Sequence, residues 1–163
     1  MKFSITQEIN NKDKQKIEEA LYQFNLKHFP EDLSGRYEEI NLFLKDDKGI
    51  VRGGILAEVC WNWLEIHTFM IDEELRKSGL GTTLLVELEN IAVEKDCDFI
   101  KVDTLSFQAL GFYEKHGYKV FGSLDNVGRV FQHYYLKKRF EDFLILSSYR
   151  GWRDEQFIYN RLR

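Results

Sequence analysis

The chain has 163 residues, of which 44% are hydrophobic and 31% are charged, and this composition predicts one globular domain with one core. A net charge of −4 gives no basic surface for nucleic acid or for an anionic membrane, so neither partner is expected.

Leader segments, membrane spans and metal motifs are not indicated by the sequence. The first residues form no apolar leader, and no apolar run reaches the length of a membrane span. The two cysteines, Cys60 and Cys97, lack the CxxC spacing of zinc and redox sites. We therefore expect a cytoplasmic protein with free thiols and no metal.

The first part of the chain predicts a strand, a helix and a three-stranded meander. Alternation of apolar and polar residues is typical of a strand, and the segment after it carries apolar residues at helical spacing behind a capping asparagine. The predicted elements are a strand over 3–8, a helix over 11–28, a loop or short helix over 29–38, and strands over 40–46, 50–61 and 63–71.

Two adjacent glycines, Gly53 and Gly54, interrupt the second strand of the meander and indicate a bulge or a close approach of another backbone. The remaining elements are a helix over 82–95, a strand over 99–105, a helix over 107–116, and strands over 118–122 and 129–138. The order β-α-β-β-β-α-β-α-β-β predicts a mixed α/β domain with parallel and antiparallel pairings.

The most informative segment joins the last strand of the meander to the next helix and reads RKSGLGT (residues 76–82). A glycine-bearing turn into a helix leaves several backbone N–H groups unpaired at the positive end of the helix dipole, which binds phosphate. The segment is not the GxxxxGK[ST] loop, and Leu84 occupies the third glycine position of the GxGxxG fingerprint. A different phosphate-bearing ligand is therefore indicated.

A second motif follows after one predicted helix and one predicted strand and reads SFQALGFYEKHGY (residues 106–118). The two motifs together resemble the GNAT superfamily of acyl-CoA-dependent N-acetyltransferases. The loop matches that family's Arg/Gln-x-x-Gly-x-Gly/Ala signature through Arg76, Gly79 and Gly81. The second is similar to its Asn-x-x-Ala-x-x-Phe-Tyr-x-x-x-Gly-Phe/Tyr pattern, with Ser106 where many members have asparagine.

The resemblance implies a GNAT-like single domain with a central, mixed, mostly antiparallel twisted sheet of about seven strands flanked by about four helices. This acetyltransferase domain would span residues 1–140. Residues 141–163 form an extension rich in aromatic and aliphatic side chains. We expect that extension to pack on the domain or on a second subunit of a homodimer.

Acetyl-CoA is the implied co-substrate. Its diphosphate would bind the loop N–H groups, its pantetheine arm would follow the strand before the loop, and the second motif would add contacts. The implied cofactor-binding residues are Met70, Ile71, Arg76, Lys77, Ser78, Gly79, Leu80, Gly81, Thr82, Ser106, Ala109 and Phe112.

Three residues are candidates for proton transfer. The resemblance places Tyr113 where the family's tyrosine protonates the departing thiolate, and a phenol of pKa ~10 is a reasonable acid for a thiolate of pKa ~8.5. An amine of pKa ~10.4 is mostly protonated at neutral pH, so a base should help. The strand before the loop often supplies it in the family, which makes Glu65 the first choice and His67 the second, each through water. An amine of low pKa would need no base.

The implied activity is transfer of an acetyl group from acetyl-CoA to a primary amine of a small molecule, by direct attack in a ternary complex. Two alternatives stay open from the sequence. The acceptor could be a protein or peptide amine, or the chain could be a non-catalytic acyl-CoA-binding regulatory module.

Overall fold

The computed structural model describes residues 1–140, and the aromatic-rich extension predicted over 141–163 lies outside the described residues. The chain divides into two compact units, Met1–Arg36 and a second unit that begins at Tyr37. Within residues 1–140, no helix is both long enough and apolar enough to cross a membrane.

The first unit contains the helix α1 (Asn11–Leu26). Its N-cap is Asn10, whose side-chain oxygen accepts hydrogen bonds from the N–H groups of Lys12 and Asp13, both at 3.2 Å. The sequence left Asn10 and Asn11 open as the cap, and the structure assigns this role to Asn10, which satisfies two of the N–H groups that a helix start leaves unpaired. A short turn of 3-10 helix follows at Glu31–Leu33.

The strand predicted over residues 3–8 is wrong, because these residues adopt no regular secondary structure. A strand is stable only when its backbone groups pair with a neighbour, and alternation of side chains does not supply one. Within residues 1–36 no other strand is present for pairing. Over residues 1–140 the sheet therefore has one strand fewer than the seven or so expected.

The second unit is built on one mixed sheet. The strands are β1 (Tyr37–Lys45), β2 (Val51–Cys60), β3 (Trp63–Ile71), β4 (Phe99–Leu105), β5 (Lys119–Val127) and β6 (Phe131–Arg139), and the helices are α2 (Leu80–Glu94) and α3 (Leu110–Lys115). Over residues 37–140 these six strands lie in the order β1-β2-β3-β4-β6-β5. Among these six strands only β3 and β4 pair in parallel, so the expected mixed, mostly antiparallel class is confirmed.

The core lies between the sheet and α2. The helix buries Leu85, Leu88 and Ala92, which repeat at helical spacing, against fully buried strand residues that include Leu64 and Ile100. Because α2 connects two neighbouring parallel strands, it must cross over one face of the sheet. The apolar stripe on α2 determines which face becomes the core.

β3 leaves β4 halfway along its length. The two strands pair only from Trp63 opposite Phe99 to Ile66 opposite Val102 within the described residues. In the pairing of β2 with β3, Leu56 lies opposite Thr68 and the next residue of β2 lies opposite Ile66. His67 therefore has no partner in β2 and forms a β-bulge. The second half of β3 therefore continues beside β2 alone, and the sheet opens between β3 and β4.

The glycine pair in β2 is explained by close approach of the neighbouring strands. A Cβ atom at Gly54 would lie 2.5 Å from the carbonyl oxygen of Leu42, and one at Gly53 would lie 2.7 Å from that of Met70. Both distances are far below van der Waals contact with backbone atoms that cannot move away cheaply. The predicted close approach is confirmed, and the glycines keep three strands together beside the opening.

Candidate functional site

The loop between β3 and α2 presents unpaired N–H groups at the start of a long helix. Lys77 and Gly79 have positive φ values of 63° and 91°, which turn the chain sharply into α2. The first intrahelical bond runs from the N–H of Thr83 to the oxygen of Gly79, at 3.0 Å. The N–H groups of residues 79–82 therefore have no acceptor within the helix, and together with the helix dipole they make this turn a candidate anion site.

Two arginines fix this loop to the sheet. Arg76 donates from Nε to the carbonyl oxygen of Ile71, at 3.1 Å, and so ties the loop to the last residue of β3. Arg52 on β2 forms ion pairs with Asp72 at 2.8 Å and with Glu74 at 3.1 Å. These pairs compensate two of the carboxylates that precede the loop, which favours binding of an anion nearby.

The loop, the end of β3 and α3 meet at an aromatic junction. The rings of Phe69 and Phe112 lie 5.8 Å apart at an angle of 70°, in an edge-to-face contact. A Cβ atom at Gly81 would lie 3.7 Å from Phe112 and 3.8 Å from Phe69. The junction thus connects the first turn of α2 directly to the second predicted motif.

Tyr113 lies on the inner side of α3 behind this junction and is only 4% exposed. Its ring packs edge-on against Phe69 at 6.5 Å and against Tyr118 at 5.5 Å. Burial raises the pKa of Tyr113 well above its usual value, and the negative charge of Asp103 adds to the effect. The phenol therefore keeps its proton at physiological pH and is available as a proton donor, that is, as a general acid.

The two base candidates on β3 have different partners. Nε2 of His67 lies 3.1 Å from Oε1 of Glu58, and the other oxygen of that carboxylate accepts a hydrogen bond of 2.5 Å from the hydroxyl of Tyr37. Glu65 instead forms an ion pair of 2.6 Å with Lys101 on β4. The hydrogen bond to Glu58 raises the pKa of Tyr37 to about 12. The structure thus gives His67 an orienting carboxylate and gives Glu65 a cation.

The remaining predicted contacts are spread along the opening. Met70 is exposed and Ile71 is half-buried, and both end β3 beside the loop. Ser106 directly follows β4, and its hydroxyl oxygen accepts a hydrogen bond of 3.2 Å from the N–H of Gln132 on β6. Ala109 precedes α3 and donates its N–H to the hydroxyl of buried Thr104, at 3.2 Å.

Metal coordination has no geometric support in this part of the chain. Among residues 1–140, no group of three or more histidine, cysteine, aspartate or glutamate side chains could hold a metal ion.

The sheet, its opening and the loop define an α/β protein of the acyltransferase type. The chain matches the acetyltransferase (GNAT) family over residues 5–118. Because this match spans most of the sequence, the chain belongs to the GNAT family, and it is an acyltransferase.

Individual relatives agree with this assignment. A crystal structure of an acetyltransferase from Bacillus cereus superposes with a TM-score of 0.77 at 30% identity, covering 83% of this chain and 97% of that one. An acetyltransferase of Agrobacterium fabrum is 26% identical over 140 residues, which are 86% of this chain and all of that protein. Blasticidin-S acetyltransferase of Streptomyces morookaense is 35% identical over 79 residues, or 48% of this chain and 58% of its own.

Three contributors to the site escaped the sequence analysis: Arg52, Glu58 and Phe69. Each contacts a different element of the fold. Arg52 on β2 pairs with Asp72, which follows β3, and Glu58 on β2 pairs with His67 on β3. Phe69 on β3 contacts α3. The one local signal was the alternation of β2, which places Glu58 between the buried Ala57 and Val59. Only the register of β2 against β3 shows which partner that carboxylate meets.

The buried tyrosines make stability depend on pH in the alkaline range. Tyr113 and Tyr118 are 4% and 2% exposed, and burial raises the pKa of both. From about pH 10 the unfolded chain loses these protons and the folded protein keeps them, so stability is complete below that pH and falls above it. We expect a total loss of about 1.4 kcal/mol for each tyrosine between about pH 9 and pH 11, with a slope that steepens through this range, measured by urea unfolding. Tyr113→Phe should reduce this slope, and an identical slope would contradict the assignment.

Proposed function

We propose that the protein transfers an acetyl group from acetyl-CoA to a primary amine of a small molecule in a ternary complex. The observation that carries the proposal is the position of the anion site relative to the opening of the sheet. The unpaired N–H groups of residues 79–82 lie directly after the strand that leaves its parallel neighbour, and Phe69 connects both to the helix that carries Tyr113.

The residues present fit coenzyme A. A diphosphate suits the first turn of α2, because four unpaired N–H groups lie at the start of this fifteen-residue helix. The space beside the turn is open, since a Cβ atom built on Gly79 would have no other atom within 4 Å. Lys77 is exposed beside it and supplies positive charge. The pantetheine arm suits the unpaired half of β3, whose backbone groups toward β4 are free of ladder bonds within the described residues.

Acetyl-CoA supplies the acetyl group as a thioester, and an unprotonated amine takes it by direct attack. The chain must therefore remove a proton from the amine and return one to the thiolate. His67 is the better-placed base, because its Nε2–H can donate to Glu58 and leave Nδ1 with a lone pair for the proton. Glu65 would have to break its ion pair with Lys101 to accept one.

Tyr113 is the proposed acid. Burial keeps its phenol neutral, so the proton is available whenever a thiolate forms beside it. The same burial raises the proton affinity of a neighbouring thiolate, because a dry environment disfavours every anion. Proton transfer between the two groups is therefore less unfavourable than the pKa of the tyrosine alone would suggest.

The acceptor side is supported by charge and by one relative. Glu58 lies on β2, opposite Glu65 of β3 and on the face away from α2, where its carboxylate would attract a cationic amine. The relative named blasticidin-S acetyltransferase takes its name from a small molecule. Both observations favour a small cationic acceptor over a protein or a purely regulatory role.

Calorimetric titration of acetyl-CoA tests the cofactor. Gly79→Ala should weaken binding about tenfold or more, because a φ of 91° strains an alanine and shifts the N–H groups. Gly49→Ala is the matched control, since its φ of 77° and its open surroundings are similar but it lies in the β1–β2 turn. Equal affinities for all three proteins would remove the loop from the site, and no binding at millimolar acetyl-CoA would overturn the function.

Replacing Tyr113 by Phe tests the acid. Turnover, followed as thiol release with the best amine from a screen, should fall on the order of 10²–10⁴-fold. The KM for acetyl-CoA should change little, because the ring packing is kept. Undiminished turnover would remove Tyr113 from this role.

Comparing His67→Asn with Glu65→Gln tests the base. We expect His67→Asn to lower kcat on the order of 10²-fold with an alkylamine acceptor, and Glu65→Gln to cost less. An acceptor that is already unprotonated at neutral pH, such as a hydrazine, should react nearly equally with wild type and His67→Asn. A larger loss for Glu65→Gln that the hydrazine relieves would reverse the assignment.

A further inference from the structure

One side chain joins the first turn of α2 to α3 through hydrogen bonds at both of its ring nitrogens. His116 follows α3 as its C-cap residue. Its Nδ1 lies 2.8 Å from the carbonyl oxygen of Phe112, and its Nε2 lies 3.1 Å from the hydroxyl oxygen of Thr82. The ring also packs on Phe112, with centroids 4.4 Å apart.

The partners determine how the protons are arranged. A carbonyl oxygen can only accept, so Nδ1 carries a hydrogen in the neutral and in the protonated ring alike. In the neutral ring Nε2 accepts from the hydroxyl of Thr82, and in the protonated ring it donates to the same oxygen. The imidazole therefore holds the Thr82 side chain in either charge state.

The neighbouring threonine has the hydrogen bond that is usual for threonine in a helix. The hydroxyl of Thr83 donates to the carbonyl oxygen of Gly79, four residues earlier, at 3.3 Å. Thr82 stands one residue earlier, in the turn whose N–H groups are unpaired, and its hydroxyl points instead to His116. The side chain of a β-branched residue is rigid, so holding its oxygen also holds the backbone N–H of Thr82.

We propose that His116 is a positioning residue for the diphosphate of the acyl donor, acting through Thr82 on the first turn of α2. This inference rests on the proposed function, since it assumes that the diphosphate binds at residues 79–82. The loss of His116 should therefore weaken binding of the acyl donor without slowing the chemical step. Without the imidazole, the N–H groups that face the diphosphate are held less firmly, whereas the thioester lies at the other end of the pantetheine arm.

The test compares four variants by steady-state kinetics and by calorimetry with ADP. His116→Phe keeps an aromatic ring on Phe112 and loses both ring nitrogens, and Thr82→Val loses the hydroxyl at constant shape. Each should raise the KM for acetyl-CoA and the Kd for ADP about five- to tenfold and leave kcat at saturation within about twofold. Thr82→Ser keeps the hydroxyl on a less rigid side chain, so its values should lie between those of Thr82→Val and wild type. Thr83→Val should leave them unchanged although it removes a hydroxyl from the same turn.

Two further readouts separate positioning from general damage. S-acetylpantetheine lacks the diphosphate, so its kcat/KM should be equal in wild type and variants. The double variant His116→Phe/Thr82→Val should bind ADP no more weakly than either single variant, because both substitutions remove the same contact. Equal losses with S-acetylpantetheine, additive losses, or an unchanged KM in Thr82→Val would overturn the inference even if His116→Phe failed to fold. Wild-type binding of acetyl-CoA alongside any of these results would leave the proposed function intact, and absence of wild-type binding would overturn both.

Discussion

The early end of the β3–β4 ladder is the constraint on which the rest of the site depends. The parallel pairing stops at Ile66 and Val102, and the next residue, His67, is bulged out of register with β2. A ladder that continued to the end of β3 would satisfy its backbone groups and close the sheet. Because it does not continue, Phe69 can meet the side chains of α3, and an extended ligand has backbone groups to pair with.

Compensation of charge is the second organising feature. The chain is acidic overall, with a net charge of −4, yet its proposed ligand carries phosphates. Arg52 pairs with two of the acids that precede the candidate anion site, and Lys101 pairs with Glu65 beside the opening. Local pairing therefore matters more here than net charge, because the field at a site falls with distance and is screened by salt. It also leaves the Glu58 carboxylate available to orient His67.

Much of the fold could be predicted because its strongest signals are local. The strand predicted over 99–105 coincides with β4, and the strand over 63–71 coincides with β3. The helix after the loop was predicted to begin at 82, since glycine is a poor helix former. It begins at Leu80, and Gly81 lies within its first turn. The strand predicted over 118–122 continues as β5 to Val127. Its pairing with β6 shifts register at two places, and an alternation of apolar and polar residues does not extend through such shifts.

The site itself was only partly visible in the sequence. Both motifs were recognised because glycine in a turn and Phe-Tyr before a glycine are short, ordered patterns. The partners of Glu65 and His67 could not be predicted, because they depend on the register of β3 against two neighbours and on a bulge. The same holds for Thr82 and His116, which are far apart in sequence and close in space.

The Phe69 junction also bears on how such a protein can change over evolutionary time. One ring touches both the helix that carries the proposed acid and the turn that carries the anion site. A smaller or larger side chain there would disturb both at once, since densely packed interiors transmit changes in volume to every neighbour. Change is therefore easier at exposed side chains that take no part in this junction, because their exchange leaves the packing of both elements intact.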